Sequence, residues 1–437
     1  MTITPDHARY DAERSGFQTA FDHRPAVIVA ATGAEDVRAA VGLARARGLP
    51  VAVQATGHGR AGAADDFVLI NTRGMTGVRV DAEHRTAWVE AGAQWHHVIT
   101  AAAPHGLAPL SGSAPEVGAV GYTLGGGIGL LARQYGYAAD HVRAIEVVTS
   151  DARLRHVTED SDPDLFWALR GGRDNFGVVT GIEIDLVPVA TFYGGGLHFD
   201  VERVPDVVSG YLAWSTTVPE EVTSSIGLIV MPDLPMVPEP LRGRYVAHIR
   251  IAYTGDDGDR LVAPLRALGP RLIDRLGEMP FTEAGSIYND PTRPHGYVGD
   301  NAMLTELDES ALREVLDLTG PQSPVMSIVD IRHLGGALSR EPEAPNAVGH
   351  RAAQYILRVL SPLDNADAST VHSLHTKAFD AVRAWTLGRS PNFVYGKGNS
   401  VSESYEPQDL KRLEHLKALY DRENLFRVNQ NIQPRAN

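Results

Sequence analysis

A chain of 437 residues with 43% hydrophobic and 22% charged residues has the make-up of an ordinary globular protein and exceeds what one hydrophobic core supports, so two packed domains are expected. Its formal charge of −14, from 40 Lys and Arg against 54 Asp and Glu, repels phosphate backbones and anionic lipid, which argues against nucleic-acid and membrane partners. With no cysteine there is no disulfide, no thiolate nucleophile and no Cys-ligated zinc or iron–sulfur centre, and no metal site is expected.

The first sixteen residues lack the basic start and apolar run of a secretory signal, so a cytoplasmic location is expected. Residues 26–55 read as a β-α-β unit: AVIVAA, a helix, then VAVQA. Thr32 and Glu35 have capping-box spacing, Val37, Ala40, Val41 and Ala44 recur on one helical face, and Gly48 sits where a left-handed C-cap belongs. DFVLIN follows, then a hairpin of VRVD and TAWVEAG, and a helix from Trp95 to Ala103. AIEVVTS and VVTGIEIDLVPV are further strands flanking a DPDLFWAL helix, which makes residues 24–190 an α+β unit. From 191 to 390 the chain changes to long strands (SSIGLIVM, YVAHIRIAY, VMSIVDIRHL, QYILRVL) alternating with helices such as ESALREVLDL, a second α+β unit with an antiparallel sheet. Last comes a helix, QDLKRLEHLKALYD, launched by Pro407 with Leu410, Leu413 and Leu416 along one face.

Two segments carry chemical interest. Gln54-Ala55-Thr56-Gly57-His58-Gly59-Arg60 follows a strand directly, and glycines on both sides of a histidine let the main chain turn sharply and approach a bulky ligand. Alone, such a tripeptide is most often an idle loop. The second segment runs from Ser111 to Gly129 and includes Ser113, Ala114, Val117, Gly118, Gly121, Tyr122 and Gly126. Its stretch from Val117 to Ala132 holds six glycines and no charge, and it is shorter than the ~20 residues of a membrane span. Glycine at this density in an apolar segment points to close approach of a cofactor. It is not a Walker A loop, since no Gly-Lys-Ser/Thr follows.

Gly57-His58-Gly59, SGSAPEVG, GGGIG, RQYGYAADHV, DPDLFWALRGGRDNFGVVT and the closing YDRENLFRVNQNIQP together resemble the FAD-linked oxidases of the vanillyl-alcohol oxidase superfamily, in the branch of berberine bridge enzyme and 6-hydroxy-D-nicotine oxidase. The resemblance implies a two-part α+β FAD-binding domain of the PCMH type over residues 1–190. It further implies a substrate domain over 191–390, an antiparallel sheet covered by helices, and a berberine-bridge-like segment over 391–437 that returns to the FAD domain. It places His58 as the covalent anchor of the flavin 8α-methyl carbon, a task a neutral imidazole can perform. Doubly attached members carry a cysteine where this chain has Ala114, so attachment is expected to be single. Residues 54–60, Ser113, Ala114, Val117, Gly118, Gly121, Tyr122, Gly126, Gly177, Val179, Asn429 and Asn431 are the cofactor-binding positions this implies. Relative to the family's Arg-Ser-Gly-Gly-His-Ser this chain has lost the Arg and Ser, so more of the pyrophosphate binding is expected to fall on backbone N–H groups; separately, His141 replaces the family's asparagine.

The expected chemistry is hydride transfer from a small organic molecule to flavin N5, with molecular oxygen as acceptor and hydrogen peroxide released; the resemblance implies oxygen because Val117 matches the position that lines the oxygen approach in the family. For acid–base or positioning work the candidates are Tyr122, Tyr355, His333 and Asn429, with Asp330, Arg358 and His198 also on the substrate wall. Strand alternation puts Asp330 and Arg332 on one face and Ile331 and His333 on the other, so only one pair can face the flavin. Two rival readings stay open: a flavin dehydrogenase using a quinone or protein acceptor, and a non-redox cyclase or binding protein that uses the pocket for shape.

Overall fold

The computed structural model describes residues 1–60, 62–363, 366–396 and 401–435. Near the N-terminus, Val27–Ala30 and Val51–Gln54 both pair in parallel with Val68–Asn71, which lies between them, while Thr2–Ile3 adds an antiparallel edge. The helix Ala34–Arg47 buries Val37, Ala40, Val41 and Ala44 against these strands, and Gly48 closes it at φ +66°. Its start differs from the expected capping box. Gly33 is the N-cap, and the backbone N–H and hydroxyl of Thr32 both donate to Asp36 at 2.8 Å, so the carboxylate one position after Glu35 holds the first turn.

A second, five-stranded antiparallel sheet carries the expected hairpin, Val78–Asp81 with Thr86–Glu90, beside Val178–Asp185, Val142–Val148 and Leu154–Val157. Helices Trp95–Ala102 and Pro163–Gly172 bury their apolar residues in the core on this sheet, the latter capped by Asp162 accepting from Leu165 N–H.

Residues 191–388 form the largest sheet, antiparallel and of nine strands among the described residues. Its central order is Tyr245–Tyr253, Val222–Val230, Ile328–His333, Tyr355–Pro362, Tyr297–Leu304. Period-2 alternation divides it cleanly. Ile226, Leu228, Ile249, Ile251, Val329, Ile331, Leu357 and Val359 pack under the helices Val207–Ser215, Gly258–Arg266 and Glu309–Thr319. Ser225, Gly227, Arg250, Asp330, Arg332 and Arg358 therefore occupy the opposite face, which looks toward the glycine-rich loops of the first 190 residues.

The chain then returns to its beginning. In the helix Pro407–Tyr420, Leu413, Leu416 and Lys417 are buried. The Lys417 ammonium donates to Asn175 O (2.7 Å), Asp421 (2.7 Å) and Phe426 O (2.9 Å), while Asp421 accepts from the N–H groups of Leu425 and Phe426. Val51 N–H donates to Leu425 O, and Ile432 N–H to the Asn175 side chain. Residues 421–432 are thereby laced to the first unit. No helix among the described residues is long and apolar enough to cross a membrane.

Candidate active site

Between the glycine-rich loops and the polar face of the large sheet lies a cavity of about 1340 Å³. Pockets for drug-sized ligands run to about 1,000 Å³, so this one has room for a dinucleotide and a small molecule together.

One wall is the turn after Val51–Gln54. Gly57 sits at φ +76°, and a Cβ there would stand 2.8 Å from Gly16 Cα, so both conformation and space demand glycine. This turn presents His58 to the cavity. The His58 ring stacks on Phe17 with centroids 3.9 Å apart, its Nδ1 lies 2.8 Å from the Thr56 hydroxyl, and its carbonyl accepts from Tyr297 OH at 2.8 Å. Burial, aided by neighbouring His295, pushes its pKa down to about 4, which keeps the imidazole neutral and nucleophilic at physiological pH. Arg60 also reaches the cavity wall, yet its guanidinium bonds to Gln54, Phe21 O and Arg14 O; it braces the turn and is not a free anion donor.

The second wall is the segment 111–129. Tyr122 is clamped between backbones: a Cβ on Gly112 would come within 2.9 Å of its ring, and one on Gly127 within 2.5 Å. Its ring meets Trp95 edge-on at 5.4 Å. The Tyr122 hydroxyl is buried without a hydrogen-bond partner among the described residues, and burial raises its pKa. It stays protonated, so its capacity is to donate a hydrogen bond and not to serve as a base. Ala114, Val117, Gly118, Gly121 and, from the second sheet, Val179 complete this wall, and the Ser113 hydroxyl donates to Asp290 at 2.6 Å. Asn429 closes one side, with its Oδ1 unpartnered among the described residues.

Gln54, Ala55, Thr56, Gly57, His58, Gly59, Arg60, Ser113, Ala114, Val117, Gly118, Gly121, Tyr122, Val179 and Asn429 thus share one cavity. Six expected positions do not line it. Gly126, at φ +103°, turns the chain beside Val348 and Tyr137. Gly177 is a tight joint against Val147 and Val148, where a Cβ would stand 2.6 Å from a valine methyl, and Asn431 is buried behind Gln430, which is the neighbour that lines the cavity. His333 and Tyr355 are on the helix-covered face, stacked on each other at 5.5 Å, with Tyr355 OH bonded to Ser215. They cannot touch a molecule in the cavity, because odd and even positions of a strand point to opposite faces. His198 stacks on His248 outside it, and His141 is held by Tyr135 O and Asp185.

The face turned to the cavity carries instead a polar cluster. Asp330 accepts from Arg250 (2.7 Å), Arg332 (2.9 Å) and Arg358 (2.9 Å). Arg250 crosses the neighbouring strand to get there, over Gly227, where a Cβ would lie 2.3 Å from the guanidinium. Arg250 and Arg332 lie over Tyr288, and Arg332 and Arg358 over Phe393. Burial raises the Asp330 pKa, but three guanidiniums outweigh that and hold the carboxyl well below the usual range. The sequence placed Asp330 and Arg358 on strands but left open which face met the cavity; Arg250, Tyr288 and Asp290 gave no local signal, since they meet only through sheet pairing and loop closure.

The residues present suit FAD: a glycine turn that admits no Cβ, a buried phenol and an amide oxygen without partners, and ample volume. Residues 25–158 match the FAD binding domain family and residues 398–433 the berberine and berberine-like family. The chain is an FAD-dependent oxidoreductase, and its C-terminal segment is berberine-like. It is similar to an FAD-linked oxidoreductase of Dictyostelium discoideum, 27% identical over 94% of this chain and 90% of the relative. To the (R)-6-hydroxynicotine oxidase of Paenarthrobacter nicotinovorans it is 26% identical over 99% and 96%. The fold is that of the glucooligosaccharide oxidase of Acremonium strictum, a structure with a 6-S-cysteinyl, 8α-N1-histidyl FAD: TM-score 0.85, 20% identity, covering 100% of this oxidoreductase and 98% of that chain.

Proposed function

We propose that this oxidoreductase is an oxidase of a small organic molecule, with FAD attached singly and covalently through His58 and oxygen reduced to hydrogen peroxide. The observation that carries the reading is the His58 imidazole, kept neutral by burial and fixed between Phe17 and Thr56 at the wall of a cavity large enough for FAD. When bound, FAD accepts the hydride at N5 and passes the electrons on. The protein's part is position and electrostatics. Residues 1–190 with 391–437 hold the cofactor, through the 54–60 turn, the 113–122 segment, Val179 and Asn429, and the sheet of residues 191–390 covers it as the substrate wall. Tyr122, protonated by burial, donates a hydrogen bond to an acceptor in the cavity, and Asn429 offers an acceptor. Ala114 leaves no thiolate for a second bond, and Val117 keeps the approach for oxygen open.

Mixing the dithionite-reduced holoprotein with air-saturated buffer tests the oxidase. Reoxidation within seconds, with one hydrogen peroxide per flavin, is the expected result. Reoxidation over many minutes that a quinone accelerates would assign a dehydrogenase.

A further inference from the structure

Asp330 is one carboxylate among three guanidiniums, and the excess is buried. Arg332 is 8% exposed, and the side chains of Arg250 and Arg358 are 12% and 15% exposed. A structural ion pair needs one partner; burying two further cations against it is costly unless a second anion joins them. Neighbouring groups do not supply it. His248 accepts from Arg250 Nε through a ring that burial keeps neutral, and Ser225 is shared with Tyr288 OH. Asp290, the other acid at this wall, accepts from the Ser113 hydroxyl and at most halves the excess. The donors are also unspent: Arg332 gives only Nε to Asp330, and Arg358 only Nη1, so the terminal nitrogens of Arg332 and Nε and Nη2 of Arg358 have no acceptor among the described residues. These forks line the cavity and are held planar against Tyr288 and Phe393.

We propose that the Arg250–Arg332–Arg358 cluster is the dock for a carboxylate of the substrate, which makes the oxidised molecule an organic acid. The proposal rests on the flavin-site reading only for where the rest of that molecule lies. Asp330 acts as the positioning residue: it draws the three guanidiniums together at the cavity wall, where their unspent N–H donors suit the two oxygens of a carboxylate. A neutral substrate would leave those donors unpaired, which is how the site rejects it.

Calorimetric titration of the holoprotein with benzoate, benzamide and inorganic phosphate, flavin absorbance being recorded first, tests this. Benzoate is expected to bind at least tenfold more tightly than benzamide or phosphate, and Arg358→Gln and Arg332→Gln each to remove that preference without changing flavin content. Equal binding of benzoate and benzamide overturns the proposal, as does a preference for benzoate that survives both substitutions. Phosphate binding as tightly as benzoate overturns the carboxylate assignment. Protein that lacks flavin yet keeps the benzoate preference would sink the flavin reading alone, because heat of binding does not depend on the chromophore.

Discussion

Gly57 is the residue on which the presentation of His58 depends. Its positive φ and its approach to Gly16 act together, so Gly57→Ala strains the backbone by about 1–3 kcal/mol before the contact is counted. A lower melting temperature and substoichiometric flavin are the expected outcomes; an unchanged melt with full flavin would mean that the turn tolerates another conformation. In the sequence the glycines around His58 were legible as a sharp turn, but Phe17 beneath its ring and Tyr297 on its carbonyl were not. Those contacts span 41 and 239 residues, and no local pattern announces them.

At the scale of the element, the helix Pro407–Tyr420 shows what a periodicity argument reads and what it misses. Leu413 and Leu416 stand on the expected buried face, yet the residue that ties this helix to the first unit is a lysine, which hydrophobic patterning assigns to solvent. Lys417 is buried because Asp421 and two carbonyls satisfy its ammonium. Lys417→Met is expected to cost about 3–5 kcal/mol by leaving Asp421 buried without its cation, and to loosen residues 425–432, read as a lower denaturation midpoint and faster amide exchange there. The strands of the large sheet teach a related lesson. Alternation showed that Asp330 and His333 oppose each other, while the choice of face was settled by the helices packed over Ile331 and Tyr355, a tertiary fact absent from the strand itself. His333 and Tyr355 are therefore core residues, and the arginines are the ones that meet the cavity.

Across the whole molecule, buried histidines couple stability to pH. His23, His58 and His198 are pushed down to about 4 and His333 to about 3, in each case first by burial. Unfolded, they protonate below about 6.5. Between that pH and about 4 the unfolded chain binds more protons than the folded one, so stability falls as the pH drops through this window. His141, raised by Asp185 and Tyr135 O against the effect of burial, works the other way but is one group against these four and His97, His248 and His350, which burial also lowers. A melting temperature that declines from pH 6.5 to pH 4.5 is the expected result, and a flat profile would contradict the burial of these rings.

The proposed covalent flavin site joins these scales through one turn, one neutral imidazole and one cavity. The most direct test is the mass of the proteolytic peptide containing His58, from protein precipitated in acid, for the wild type and His58→Ala. The wild-type peptide is expected to carry the mass of one FAD, with the yellow colour in the pellet, while the substituted protein folds but releases its flavin to the supernatant. A wild-type peptide of unmodified mass, with the colour released, would contradict the claim.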